Sequence, residues 1–199
     1  MTSKDSAKRK RILKTAVKLF GREGYYGTRM SEVAREARVS PKTLYKYFSG
    51  KTELFIASRD AAMDRLMREI MAPVQEGATG NSSFTVIREI FKSYSDFIRR
   101  NRGLARILAE AVAIVDDVIK TDEIETFTNG AAAIAMFIDN DVREGRLKLV
   151  ADADKTAWLF LSLAALLTYS VLLGLDRKTV AGFDPSFALD VFFDVMQEA

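Results

Sequence analysis

The sequence predicts an all-α protein on three observations. Its 199 residues contain only three prolines, so few positions block helix propagation. Apolar residues recur at three- and four-residue spacing through most of the chain, the period of an amphipathic helix. Turn signals, chiefly glycine, asparagine and Ser/Asp-Pro pairs, fall between these periodic runs and divide them into about nine helices. Three short helices at residues 1–50 form one expected domain. Longer helices at residues 51–199 form the other.

Composition excludes several kinds of chemistry. There is no cysteine and no histidine, so disulfides, thiolate metal sites and the commonest general base and metal ligand are all unavailable. No catalytic residue, metal site or cofactor is expected. Charge is divided unevenly: residues 1–59 hold 15 Lys/Arg against 5 Asp/Glu, and residues 60–199 hold 15 against 22. A basic head on an acidic body draws a polyanion to one end only. The start of the chain, Met1 to Lys10, is polar and basic and is not read as a secretory signal. Trp158 to Leu175 is uncharged for eighteen residues, the length at which a membrane span has to be weighed. Ser162, Thr168, Tyr169 and Ser170 interrupt it, so it is read as a helix buried on all sides, with a single-span anchor as the lesser alternative.

The first helix is expected over Lys8–Glu23. Ile12, Leu13, Ala16, Val17, Leu19 and Phe20 give it one apolar face, and Gly24 is its stop. Lys4, Lys8, Arg9, Lys10, Arg11 and Lys14 crowd its start, where the helix dipole favours acids. Contact with nucleic-acid phosphate and a solvated arm are both open readings of that crowding. Thr28 is placed as the N-cap of a second helix running from Arg29 to about Ala37, with Met30, Val33, Ala34 and Ala37 inside. Arg38-Val39 is the turn. Ser40 caps a third helix and Pro41 takes its first position, where no intrahelical N–H is needed. Leu44 and Phe48 face inward; Lys42, Thr43 and Lys46 face outward, flanked by Tyr45 and Tyr47. No acid lies between Ser40 and Lys51. A generic helical corner would carry a mixed Glu/Lys surface, whereas this one suits a row of phosphates.

These residues carry a specific resemblance. The runs ILKTAVKLFGREGYYGT, MSEVAREARVS, PKTLYKYF and FSGKTELF, in this order and spacing, make Lys10 to about Asp60 similar to the DNA-binding domain of the TetR (tetracycline-repressor) family of bacterial transcription regulators. The resemblance implies an N-terminal helix-turn-helix domain at 1–50 and a C-terminal effector-binding and dimerisation domain at 51–199. It implies that Thr28 and Ser40 bond phosphates, that Lys42 and Thr43 are the base or near-base contacts, that Tyr45 and Tyr47 clamp the backbone, and that Lys51 reaches a phosphate. Two positions depart from the family pattern. Arg38 stands where glycine is usual, at a turn whose backbone suits glycine best, and Gly50 stands where serine is usual, as a weaker cap. Neither removes a contact, and Arg38 is a candidate to add one.

Helix four, Lys51 to about Met71, is the expected link between reading head and body. Ala72 to Ser83 reads as a polar linker. Helices are expected over Phe84–Asn101, Leu104 to about Ile119, Ile124–Glu144 with Gly145 as a stop, and Asp154–Leu175. Asp184-Pro185 opens a last helix to about Gln197. The last two helices are more apolar than one core-facing stripe requires, and the resemblance implies a homodimer formed through them. Phe91, Tyr94, Phe97, Met136, Phe137, Trp158 and Tyr169 are the candidate effector-pocket residues, for a small apolar or aromatic molecule. Aromatics at helical spacing are also what a plain core contains, so that reading stays open. The function implied is a cytoplasmic, ligand-responsive dimeric regulator that binds double-stranded DNA at a palindromic operator, most often as a repressor, with no membrane partner. The rivals are a DNA-binding protein without an effector and a helical enzyme using carboxylates such as Asp96, Glu110 or Asp139.

Overall fold

The computed structural model describes residues 3–77, 83–113, 117–149 and 151–174, with Asp190 and Phe192. Among them are eight helices and no strand: α1 (Ser3–Gly27), α2 (Met30–Glu36), α3 (Pro41–Tyr47), α4 (Lys51–Gly77), α5 (Ser83–Arg100), α6 (Arg102–Ala113), α7 (Asp117–Arg143) and α8 (Ala153–Leu172). The expected last helix, from Asp184, lies outside the described residues apart from those two positions. The chain packs as two compact units, Met1–Arg65 with Asn101–Thr121, and Leu66–Arg100 with Asp122–Ala199. Helix α6 is therefore part of the first unit.

In the first unit, α1 packs on α2 and α6, and α2 packs on α3. Ile12, Ala16, Leu19 and Phe20 of α1 meet Val33, Ala34 and Ala37 of the α2 segment, Leu44 and Phe48 of the α3 segment, and Leu54 and Phe55 of α4 in one buried core. Phe20 and Phe55 stack edge to face with ring centroids 5.1 Å apart, a geometry aromatic quadrupoles favour. The apolar periodicity thus selects the inward faces that the sequence predicts.

Helix α1 starts five residues earlier than expected. Its first turn holds Asp5, an acid where the dipole favours one. Lys8 to Lys14 consequently lie a turn or more inside the helix, which leaves only Lys4 of the six basic residues in the first turn and removes most of the dipole penalty expected of a basic start. Regular helical geometry stops at Gly24, with φ 76° and ψ 176°, a region open essentially to glycine alone. Helix α6 closes this end. Glu110 accepts the Tyr25 N–H at 2.6 Å, and Arg106 donates to the Arg22 carbonyl at 2.6 Å. Orphan backbone groups at a helix end need such partners. The two helices meet where both lack a side chain: a Cβ on Gly21 would stand 2.9 Å from the Gly103 carbonyl oxygen.

In the second unit, α5 packs on α8. Val86, Ile87, Phe91, Phe97 and Ile98 are buried on α5, and Phe160, Ala164, Leu167 and Val171 on α8. Two expectations are corrected here. Helix α4 continues through Pro73 to Gly77, so the stretch expected as linker from Ala72 is helical in its first half. Helix α8 is buried on one side only: Trp158, Leu159, Leu166, Tyr169 and Leu173 are exposed. By length and composition α8 would suit a bilayer, but eight of its residues are buried as in the helix of a packed core.

Candidate nucleic-acid interface

Helix α3 is held at its start by its own side chains. Ser40, in extended conformation, accepts the Thr43 N–H at 3.1 Å, and its hydroxyl shares a 2.9 Å bond with the Thr43 hydroxyl. Pro41 occupies the first position. Leu44 and Phe48 are buried, which directs Lys42, Tyr45 and Lys46 into solvent and leaves Thr43 and Tyr47 half-buried. Tyr45 is 53% exposed, so its ring and hydroxyl are open to a partner.

The turn before α3 forms as the sequence anticipates. The Arg38 N–H bonds the Arg35 carbonyl at 3.1 Å and the Val39 N–H bonds the Ala34 carbonyl at 3.0 Å, the pair of bonds that closes a helix through a left-handed residue. That residue is Arg38, with φ 51°.

Two contacts at the other end of α3 were not legible in the sequence. The Tyr47 hydroxyl donates to Asp5 at 2.5 Å, and the Lys46 ammonium lies 3.6 Å from the same carboxylate. Arg9, one turn on, covers the Phe48 ring at 5.0 Å. Asp5, Arg9, Ile12 and Ala16 follow helical spacing, so a helix drawn from Ser3 would have put them all on the face toward α3. The Asp5 bond, then burial, raises the Tyr47 phenol above its ordinary value. At the start of α4, the Ser49 N–H and hydroxyl both donate to Glu53 at 2.7 Å, which holds the Glu53 carboxyl below its usual range. These two bonds, both from Ser49 to Glu53, brace the start that Gly50 was expected to weaken. The Lys51 ammonium donates to the Tyr26 carbonyl at 3.3 Å and lies 4.6 Å from the Tyr25 ring centroid. Burial lowers its pKa.

Thr28 is a correction. The N-cap of α2 is Arg29, without a side-chain capping bond. Thr28 is 1% exposed and its hydroxyl donates to the Gly24 carbonyl at 2.8 Å. Its donor is committed to closing the Gly24 turn and stands off the exposed surface. Thr28→Val, close in shape, is expected to lose about 1 kcal/mol of stability in urea unfolding while leaving the DNA affinity of the folded protein unchanged. A selective loss of affinity would instead support the expected phosphate contact at Thr28.

The expected effector residues divide into two sets. Phe91 and Phe97 are buried, and Phe91 meets Phe160 edge to face at 5.6 Å. The Tyr94 hydroxyl bonds the Ala164 carbonyl at 3.1 Å and the Thr168 hydroxyl; burial pushes its phenol up to about 12. Met136, Phe137, Trp158 and Tyr169 are exposed. A crevice of about 740 Å³ lies elsewhere, between the end of α7 and the start of α8, lined by Asp139, Val142, Arg146, Lys148 and Asp152 among others. None of the seven expected residues lines it. No cluster of metal-ligating residues occurs among the described residues.

A family model described as "Bacterial regulatory proteins, tetR family" matches residues 12–58, the span from the core of α1 through α3 to the first turns of α4. Over this stretch the chain belongs to the TetR family. YhgD of Bacillus subtilis (strain 168), named an uncharacterized HTH-type transcriptional regulator, is 28% identical over 184 residues, covering 88% of this chain and 91% of its own length. Three other curated regulators are 30%, 36% and 32% identical. Those matches span only about a third of each relative, 33%, 31% and 37% of its length. Among solved structures, a TetR-family regulator from Rhodococcus sp. superposes with TM-score 0.77 at 22% identity, covering 96% of this chain and 98% of that one. The regulator FadR from Bacillus subtilis, solved with stearoyl-CoA, superposes with TM-score 0.72 at 13% identity, covering 94% and 96%. At these identities the likeness establishes the TetR-family fold.

Proposed function

We propose that this TetR-family chain is a cytoplasmic, dimeric, ligand-responsive transcription regulator, acting as a repressor at a palindromic operator and released from it by a small apolar or aromatic effector. The observation that carries the reading is α3: a rigidly capped helix whose solvent face is Lys42, Tyr45 and Lys46, with no acid between Ser40 and Lys51. Lys42 and Thr43 read base edges. Ser40, Tyr45, Tyr47 and Lys51 position the backbone. Tyr47 exchanges its Asp5 partner for a phosphate, and Lys51 reaches one from its seat on the Tyr26 carbonyl.

Residues 1–50 read DNA, and residues 51–199 bind the effector and the second subunit. The exposed Trp158, Leu166, Tyr169 and Leu173 follow helical spacing on α8, and such a stripe supports a subunit face. Trp158 and Tyr169 fit that face better than a pocket. Two copies related by a two-fold axis present their α3 helices to successive major grooves, about 34 Å apart. The packing of Phe91, Tyr94 and Phe160 favours one alternative, a DNA-binding protein of the same symmetry with no effector. The relatives are transcription regulators, and no catalytic role is assigned to any residue.

Selection of bound duplexes from a random pool tests the reading. Recovery of a palindrome is the expected result. Failure to enrich any sequence, or a monomer at micromolar concentration, defeats it.

A further inference from the structure

Arg38 carries a cost that glycine would avoid. Among the described residues it is the only non-glycine with positive φ, at 51°. The left-handed conformation costs an ordinary L-residue about 1–2 kcal/mol, more than the entropy a glycine loses there. The turn's two closing bonds fix this backbone whatever the side chain is, so nothing about the turn itself asks for arginine. Strain of this kind persists where a side chain serves a purpose.

The surrounding charges suggest which purpose. The acids of α2 are occupied on the α1 side: Glu36 lies 3.7 Å from Arg22, and Glu32 lies within 4 Å of both Arg22 and Arg35. Arg38 is exposed, and no described carboxylate pairs with it. It stands two residues before Ser40, so its Cα is within about 7 Å of the residue that opens the base-reading edge. An unpaired guanidinium at that place suits a phosphate, which it can grip with two parallel bonds.

We infer that Arg38 is a DNA-phosphate contact, added to the TetR-family surface at the expense of turn stability. The inference rests on the DNA-binding reading above. In it, a backbone phosphate flanking the bases read by Lys42 docks on the guanidinium, in specific and nonspecific complexes alike.

Arg38→Gly separates the two roles because it moves them in opposite directions. In thermal unfolding the variant is expected to gain about 2 °C, as strain is relieved. In fluorescence titration with a labelled mixed-sequence duplex it is expected to bind about three- to tenfold more weakly, with the log–log salt slope shallower by about 0.9 per subunit. Arg38→Lys, which keeps the charge, is expected to restore the slope. Unchanged affinity and slope in the glycine variant overturn the inference. So does a lysine variant that binds as weakly as the glycine one, because the turn rather than the charge is then responsible. A glycine variant less stable than the parent removes the strain argument. If the parent chain itself binds no duplex, the DNA-binding reading fails first and takes this inference with it.

Discussion

Lys42→Ala is expected to lower affinity for the selected operator by about ten- to a hundredfold per half-site, the worth of one good contact between a cationic side chain and a guanine edge. Lys42 is the second residue of α3 and is exposed, while the turn beneath it is fixed by the Ser40–Thr43 bonds and the buried Leu44. Its ammonium therefore projects from a helix end already fixed by its own cap, and its loss is expected to leave the rest of the surface in place. Binding to a mixed-sequence duplex is expected to fall much less, because there Lys42 contributes only as one cation among many. The measurement is a pair of titrations, on operator and on mixed-sequence duplex, at matched salt. If both fall by the same factor, Lys42 is a phosphate contact, and the reading edge has to be assigned to Thr43 or Tyr45.

Gly24→Ala is expected to cost about 3 kcal/mol of stability. Two independent effects combine. The φ of 76° with ψ of 176° is open essentially to glycine, at about 1–3 kcal/mol for any other residue. The added Cβ would also stand 2.5 Å from a Glu110 carboxylate oxygen, so Glu110 must give way and loosen its bond to the Tyr25 N–H. A hydrogen bond to a charged group contributes about 1.5–3 kcal/mol. Gly50→Ala is the control: nothing lies within 4 Å of its Cβ and its φ is not positive, so only the preference of a cap position for glycine over alanine is lost, and a cost below about 1 kcal/mol is expected. Urea unfolding of both variants checks the pair. An alanine variant at Gly24 as stable as the parent would show that the end of α1 does not depend on its clasp by α6.

Much of the reading head was legible in the sequence. Ser40-Pro41 marks the start of α3, Val33, Ala34, Ala37, Leu44 and Phe48 are inside, and the left-handed turn falls on Arg38. Thr28 was misread because threonine is a favoured cap whereas Arg29, the observed cap, offers no capping side-chain bond. The choice was made by the Gly24 carbonyl, which takes the threonine hydroxyl. The early start of α1 was missed because Met1 to Lys10 has almost no apolar residue from which to read a period. The body was the less legible part. Its aromatics fit core, pocket and subunit face alike, and periodicity cannot say which neighbour covers them.

Taken alone, the sequence determined what is settled within a few residues: helix caps, apolar faces, the demand for a left-handed turn, and the division of charge between head and body. Each depends on groups close enough along the chain to meet whatever the rest does. Tertiary structure alone decided which distant groups meet. It joined Asp5 to Tyr47 across 42 positions and Glu110 to the Tyr25 N–H across 85, placed α6 with the reading head, and left one side of α8 exposed. Such pairings follow from how helix faces pack, and a single sequence records the faces without recording their partners.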